Sequence, residues 1–469
     1  MATRIERDSL GEVRVPAEAY YGAQTERAAE NFPVSGLKAP APLVAATVLV
    51  KQACARANAS LDRLDPVVAN AIIEAADEIL AGRFRDQFIV DVYQAGAGTS
   101  HNMNTNEVLA NRAAEILGEP RGVYSRVHPT DHVNMGQSTN DVFPTATRVA
   151  ILLVLPEVLD AARGLGDALD RKASAFAHIL KTGRTHLQDA VPITLGQEFS
   201  GYAANLRHAA DELVRGAASL HELNLGATAV GTGLNAGDDF AAASVANLSK
   251  ATGLQLRPAR NRFRVTQSMG DVLAYSGALR RLAVELDKVA SDLRLLSSGP
   301  RAGIAEIQLP AVQPGSSIMP GKVNPSVPEM VNQVCHQVLG CDAAILAASV
   351  SGQLELNVMM PVIAWNALHA SGLLAKAMDI LTTRCVNGIQ ADEARCRELL
   401  DRSTAVATAL SPYIGYAATA EIAKEAVTTG RSVVDLVRER NLMPPDRLAA
   451  ILSPDEMTQP GIPGSKGQP

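Results

Sequence analysis

The chain has 469 residues, enough for one large core or a few domains to be buried without disulfide staples. Apolar residues make up 47% and aromatics only 4%, so the core must be Ala, Leu and Val, which suits closely packed helices. With 43 Lys and Arg against 49 Asp and Glu the net charge is -6, which leaves no basic field for a phosphate backbone and argues against nucleic acid as a partner.

From Met1 to about residue 40 the chain mixes charges with turn formers (Asp8-Ser-Leu-Gly11, Val15-Pro16, Asn31-Phe-Pro33) and is predicted mostly irregular. It carries no apolar run of the kind that makes a secretory signal. Apolar spacing of three and four begins after Pro42, over Leu43 to Ala57 and Val67 to Ile79, with Asp65-Pro66 as a helix start signal. Further on, Phe199, Tyr202, Leu206, Ala209 or Ala210, Leu213 and Leu220 share one helical face. Leu279, Leu282, Leu286, Val289, Leu293 and Leu296 form a narrow seam that stops at Ser298-Gly-Pro300. A third run, Met330, Val334, Val338, Cys341 and Ile345, is predicted to start just after Pro328.

Seams without rings need length to bury enough area, so the expected fold is all-α with a central bundle of long helices. Apolar faces left over after that bundle forms would extend it between subunits. Beyond about residue 395 the pattern turns to short helices broken at Ser411-Pro412, Thr428-Thr-Gly430 and Met443-Pro-Pro445, and the tail from Gln459 is predicted frayed. No stretch reaches the ~18 uninterrupted apolar residues of a membrane span. The five cysteines include no Cys-x-x-Cys pair and read as reduced, mostly buried thiols. Together these features predict a cytoplasmic protein with no membrane partner.

Four polar segments interrupt the apolar helices: Gly96-Ala-Gly-Thr99-Ser-His101-Asn-Met-Asn104-Thr-Asn106-Glu107, Asn134-Met-Gly-Gln137-Ser138-Thr139-Asn140-Asp141, Gly183-Arg184-Thr185-His186-Leu-Gln188-Asp189 and Gly315-Ser316-Ser317-Ile-Met319-Pro-Gly321-Lys322-Val-Asn324-Pro325. None contains a nucleophile elbow or a metal-ligand cluster. Their hydroxyls and amides suit a substrate with several carboxylate oxygens, whose charge Lys322 or Arg184 would neutralise. Each segment taken singly is also ordinary capping and turn chemistry. Gly315 and Gly321 bracket the fourth, which reads as a lid pivoting at both ends or as a plain surface loop. Gly96-x-Gly98 and Gly231-x-Gly233 complete no dinucleotide fingerprint and follow no strand pattern, so no nucleotide cofactor is expected.

The string Gly315-Ser-Ser-Ile-Met-Pro-Gly-Lys-Val-Asn324 resembles the signature of the aspartase/fumarase superfamily. Tyr21-Gly-Ala-Gln-Thr25, Gly98-Thr-Ser100, Asn102-Met-Asn104, Gln137-Ser-Thr-Asn-Asp141, Arg184-Thr-His-Leu-Gln-Asp189 and Gly231-Thr-Gly-Leu-Asn235 resemble it in the same order. The resemblance implies three mostly helical domains, here residues 1–140, 141–395 and 396–469, in a homotetramer whose bundles merge and whose active sites each draw on three subunits. It implies reversible elimination of an amine or water from a succinate skeleton to give fumarate, without an organic cofactor. Activation by a non-essential divalent cation is compatible with it, although no ligand cluster in the sequence points to one.

Carried over by resemblance, Ser316 is the base, and Thr99, Ser138, Thr139 and Thr185 hold the carboxylate that becomes an enediolate. Lys322 and Asn324 bind the other carboxylate, with Ser317 and Met319 of the same loop against the substrate. Asn140 and His186 lie beside the leaving group, and Glu329 orients His186. Thr185 and Asn324 could equally stand one layer behind the substrate. Gly96-Ala-Gly-Thr-Ser100 and Gln137-Ser-Thr-Asn140 are closer to the aspartate ammonia-lyase pattern, which implies deamination of L-aspartate; Val127-His-Pro129 and Asp141-Val-Phe-Pro144 also suit class II fumarases. Two positions depart from the aspartase pattern: Met360, where a Glu is common, and His101, where an aliphatic residue is usual. They leave open a relative that acts on an N-substituted or nitrogen-oxidised aspartate.

Overall fold

The computed structural model describes residues 2–465. The chain opens with a hairpin, β1 (Thr3–Asp8) paired to β2 (Gly11–Pro16), followed by helix α1 (Ala23–Asn31). The opening is therefore ordered rather than irregular. Arg4 ties it down by bonding Glu6 and the carbonyls of Pro16, Ala17, Ala19 and Tyr21, and buried Glu107 accepts from the Gly22, Gln24 and Thr25 amides at the start of α1. These partners are distant in sequence, so local propensity gave no sign of them.

Helices α2 (Ala41–Ser60) and α3 (Pro66–Leu80) follow, and Asp65 caps the second by accepting the Val67 amide, as its sequence signal predicts. Then come α4 (Thr99–Ile116), α5 (Thr139–Ala175) and a second hairpin, β3 (Leu180–Thr185) with β4 (Gln188–Thr194). The chain continues through α6 (Leu195–Ala217), α7 (Asp238–Thr252), α8 (Arg262–Gln267), α9 (Gly270–Leu296), α10 (Ser326–Val350) and α11 (Met360–Arg384). Six shorter helices end it: α12 (Glu393–Arg402), α13 (Ala407–Ile414), α14 (Tyr416–Thr429), α15 (Val433–Glu439), α16 (Pro445–Ile451) and α17 (Pro454–Met457). α13 runs through Pro412 and stops at Gly415 instead. The tail is not frayed up to residue 465: the Tyr413 hydroxyl donates to the Pro463 carbonyl, and the Gly464 amide bonds Glu456 at 2.8 Å. Lys466 to Pro469, also predicted frayed, lie outside the described residues.

The all-α expectation holds: the strands among the described residues form two short hairpins and two pairings of two residues each, Glu222–Leu223 with Arg257–Pro258 and Ile307–Gln308 with Gln390–Ala391. The chain gathers into two compact units, each made of three separate stretches: up to Leu159, 211–283 and 336–375 in the first; 160–210, 284–335 and from Lys376 onward in the second. The long helices α5, α6, α9, α10 and α11 each contribute residues to both. The first unit packs Val48, Ile72, Ile79, Val108 and Leu109 into its core, and the second packs Leu180, Leu400, Leu410, Ile422, Val437 and Ile451. All five cysteines are free and buried.

The predicted faces on α6 and α9 are buried as expected, with Leu220 just past the end of α6. α10 is rotated relative to its prediction and begins before Pro328. Its buried side is Val331, Cys335, Val338, Cys341, Ile345 and Ala348, while Met330 and Val334 are half-buried. Polar anchors set that rotation: Asn332 bonds the Asp287 carboxylate, Ser291 and Arg294, and Asp342 accepts from Ser276 and Arg280. Its other side leaves Leu339, Leu346 and Val350 in solvent. By length and composition α5 and α10 are each apolar enough to cross a bilayer; the apolar window of α5 is 78% buried inside the fold.

Candidate functional site

In the first unit, the starts of α4 and α5 carry Thr99, Ser138, Thr139 and Asn140. The stretch from Ser100 to Glu107, predicted as part of a loop, is instead buried helix. Gly98 just before it has φ +83, and a Cβ there would sit 2.1 Å from the Phe143 ring, so only glycine lets the chain turn into α4 at this point. Thr99 is exposed on the first turn of α4. The Ser138 Oγ accepts the Asn140 amide at 3.2 Å while Asp141 accepts the Ser138 amide at 3.0 Å, a reciprocal cap on α5. The Asn140 side chain donates to the Ala229 carbonyl at 2.9 Å. A helix start leaves amides unbonded and carries partial positive charge, so the ends of α4 and α5 favour an anion.

Behind these ends lies a buried polar network. Lys51 on α2 donates from Nζ to Asn134 Oδ1 at 2.8 Å and to Gln137 Oε1 at 2.9 Å. Asn134 Oδ1 also accepts from Asn102 at 3.3 Å and Asn106 at 3.2 Å, and Asn102 Nδ2 reaches the Thr139 hydroxyl at 3.2 Å. Burial pulls the Lys51 pKa down to about 7 and pushes that of Asp141 up to about 7; in Asp141 three backbone amides and Lys51 oppose the rise. Sequence reasoning missed Lys51, because nothing in its neighbourhood marks it as other than a surface lysine.

His101 and Met360 are both buried, so neither departure from the aspartase pattern points into solvent. The His101 Nε2 lies 2.9 Å from the Thr47 hydroxyl, and its ring meets Phe143 edge-on. Desolvation, helped by Lys51, pulls its pKa down to about 4, which keeps it neutral near pH 7.

In the second unit, β3 and β4 close through His186 and Leu187, both at positive φ (55 and 58), the two-residue turn that matches strand twist. Thr185, His186 and Gln188 are exposed at its tip. Its stalk is anchored by Arg184, which bonds buried Glu306 through both terminal nitrogens at 3.1 and 2.9 Å, while Lys181 reaches the same carboxylate at 3.2 Å. Arg184 is thus committed to a protein carboxylate.

The Ser316 loop closes on itself. The Gly315 amide bonds the Lys322 carbonyl, and the Asn324 amide group bonds the Gly315 carbonyl, both at 2.8 Å. A Cβ on Gly315 would lie 2.7 Å from the Lys322 carbonyl, so this glycine serves close approach at the neck; Gly321, at φ +79, has open space around it. Ser316 Oγ accepts the Ile318 and Met319 amides at 3.2 and 3.0 Å. Ser317, Met319 and Lys322 are exposed. Among the described residues no hydrogen bond joins Ser316 or Glu329 to His186. No cluster of three or more metal-binding side chains occurs among the described residues either.

A family model described as Lyase matches residues 11–340, and one described as Fumarase C C-terminus matches 406–459. The chain is 50% identical to the aspartate ammonia-lyase of Pseudomonas aeruginosa, over 98% of both chains, and 46% identical to that of a Bacillus species, over 99% of both. The chain belongs to the aspartase/fumarase superfamily. It is also 46% identical to the class II fumarate hydratase of Neisseria meningitidis, over 98% of this chain and 100% of that one. A structure of fumarate lyase:delta crystallin from Brucella melitensis, bound to cobalt, superposes at a TM-score of 0.94 with 50% identity, covering 98% and 100% of the two chains. The chain is accordingly a lyase of that superfamily.

Proposed function

We propose that the protein releases fumarate and ammonia from L-aspartate by anti elimination. The observation that carries this reading is full-length similarity to aspartate ammonia-lyases, at 50% identity to that of Pseudomonas aeruginosa. Polar ends on α4 and α5, suited to a carboxylate, support it. Removing the proton beside a carboxylate builds a second charge on that group, so donors must wait where the charge develops, each typically worth ~2.7–4 kcal/mol. Thr99, Ser138 and Thr139 supply such donors, joined by Thr185. Ser316, as an oxyanion held by the Ile318 and Met319 amides, takes the proton once its loop has excluded water and becomes the neutral hydroxyl, and Lys322 and Asn324 hold the other carboxylate with Ser317 and Met319 beside it. Asn140 and His186 receive the departing amine, with Glu329 orienting His186.

In this reading the enzyme works in the cytoplasm as a homotetramer of three-domain chains, with each site shared by three subunits. The exposed apolar side of α10, with Val350 76% exposed, supports burial against other copies. No organic cofactor is invoked, and any divalent cation acts only as a non-essential activator. The Neisseria relative favours a second reading, hydration of fumarate to malate. Parallel assays following fumarate absorbance on addition of aspartate, malate and an N-substituted aspartate separate these. Release from aspartate is the expected result; release from malate alone replaces it with the second reading, and silence with all three removes both.

A further inference from the structure

A lysine ammonium donates hydrogen bonds and accepts none, so where it is buried it dictates the direction of every amide it touches. Lys51 lies fully buried, with its Nζ on Asn134 Oδ1 and Gln137 Oε1. Asn134 must therefore present its oxygen, and Asn102 and Asn106 must answer with their NH₂ groups. Asn102 then also presents NH₂ to Thr139, which accepts at 3.2 Å and keeps its own hydroxyl hydrogen free. This polarity has a cost: Asn102 Oδ1 and Asn106 Oδ1 are buried without a partner. If the Asn102 amide turned round, its oxygen would gain the Thr139 hydrogen and the site would lose a donor.

We propose that Lys51 is a positioning residue whose ammonium fixes the direction of the Asn134 and Asn102 amides, so that the Thr139 hydroxyl donates outward to a substrate carboxylate. The inference deepens the functional reading above and rests on it for the identity of that carboxylate. Lys51 never meets the substrate; it acts through two amides.

The test is a double-mutant cycle between Lys51→Met and Thr139→Val, read in kcat, in KM and in the affinity for succinate measured by calorimetry. Lys51→Met lowers kcat by about 10- to 100-fold, less than the ~10²–10³ of deleting a donor outright, with KM moved less than kcat. Added to Thr139→Val it lowers kcat and succinate affinity no further, because the hydroxyl it steers is gone. Additive losses in the cycle overturn the proposal, as does wild-type kcat in Lys51→Met. Should Lys51→Met fail to fold, Asn102→Ala breaks the same chain one bond from Thr139, and the same criterion applies. Succinate affinity separates the two ideas: a wild type inert toward aspartate and malate sinks the functional reading, yet non-additivity in succinate binding still supports the steering role.

Discussion

Thr139 stands on a helix whose first turn is backed by buried Asn102, Lys51 and Asp141 and by half-buried Asn134, whereas Ser316 stands on a loop in which Ile318 is 84% exposed and the serine hydroxyl is occupied by its own loop's amides. The first region is set before any substrate arrives, since every amide in it is oriented by another. The second is shaped at its neck and open at its crown, which suits a strap that must move over a ligand and back. In the proposed reaction, most of the donors for the developing charge thus lie at the rigid end of the first unit, and the base on the exposed loop of the second.

The largest expected effect breaks that division at the loop. Ser316→Ala should lower turnover by about 10²–10⁴-fold, the usual contribution of a positioned base, while thermal unfolding stays unchanged because the side chain is only partly buried. A variant near wild-type rate would move the base elsewhere. Next in size is the hairpin stalk, where Glu306 sits buried between Lys181 and Arg184. Glu306→Leu leaves Arg184 without its carboxylate and Lys181 with Glu198 alone, and should cost about 3–5 kcal/mol in urea unfolding; adding Arg184→Leu should recover part of that loss.

The same contrast explains what could be read from the sequence. Long helices were legible, because apolar spacing on α6 and α9 reports burial directly. The Ser316 loop was legible as a string because its glycines, hydroxyls and lysine are local. Residues 100–107 read as loop because Ser, Asn and Thr usually signal turns; partners distant in sequence satisfy them as a helix, among them Asn134 for Asn102 and Asn106, the Gln87 carbonyl for Asn104 and the α1 amides for Glu107. The rotation of α10 was hidden for a similar reason, since Asn332 and Asp342 set it and an apolar count passes over them. The β1–β2 hairpin was missed because its strands are charged, with buried Glu6 bonded to the Ala23 amide and to Arg4.

A smaller change tests the rigid end itself. Thr139→Val keeps the shape of the side chain and removes the hydroxyl, so kcat should fall by about 10²–10³ with the fold intact. A loss confined to KM would mean that Thr139 binds the ground state and the transition state equally, and the charge would have to be met by Thr99 and Ser138 alone.

The smallest effect concerns pH. His101 is buried beside Lys51, with a pKa drawn down to about 4 from an ordinary 6.5. As pH falls the unfolded chain takes up this proton first, so stability is intact above about 6.5 and is lost progressively between 6.5 and 4. Near pH 5 that amounts to roughly 2 kcal/mol, from 1.36 kcal/mol per unit. His101→Leu should therefore raise the unfolding midpoint at pH 5 relative to pH 7.5 when each is compared with wild type, and leave turnover at pH 7.5 near wild type, since the imidazole is neutral there and touches Thr47 and Phe143 rather than Thr99, Ser138 or Thr139. An acid limb that persists unchanged in His101→Leu would assign it to other groups.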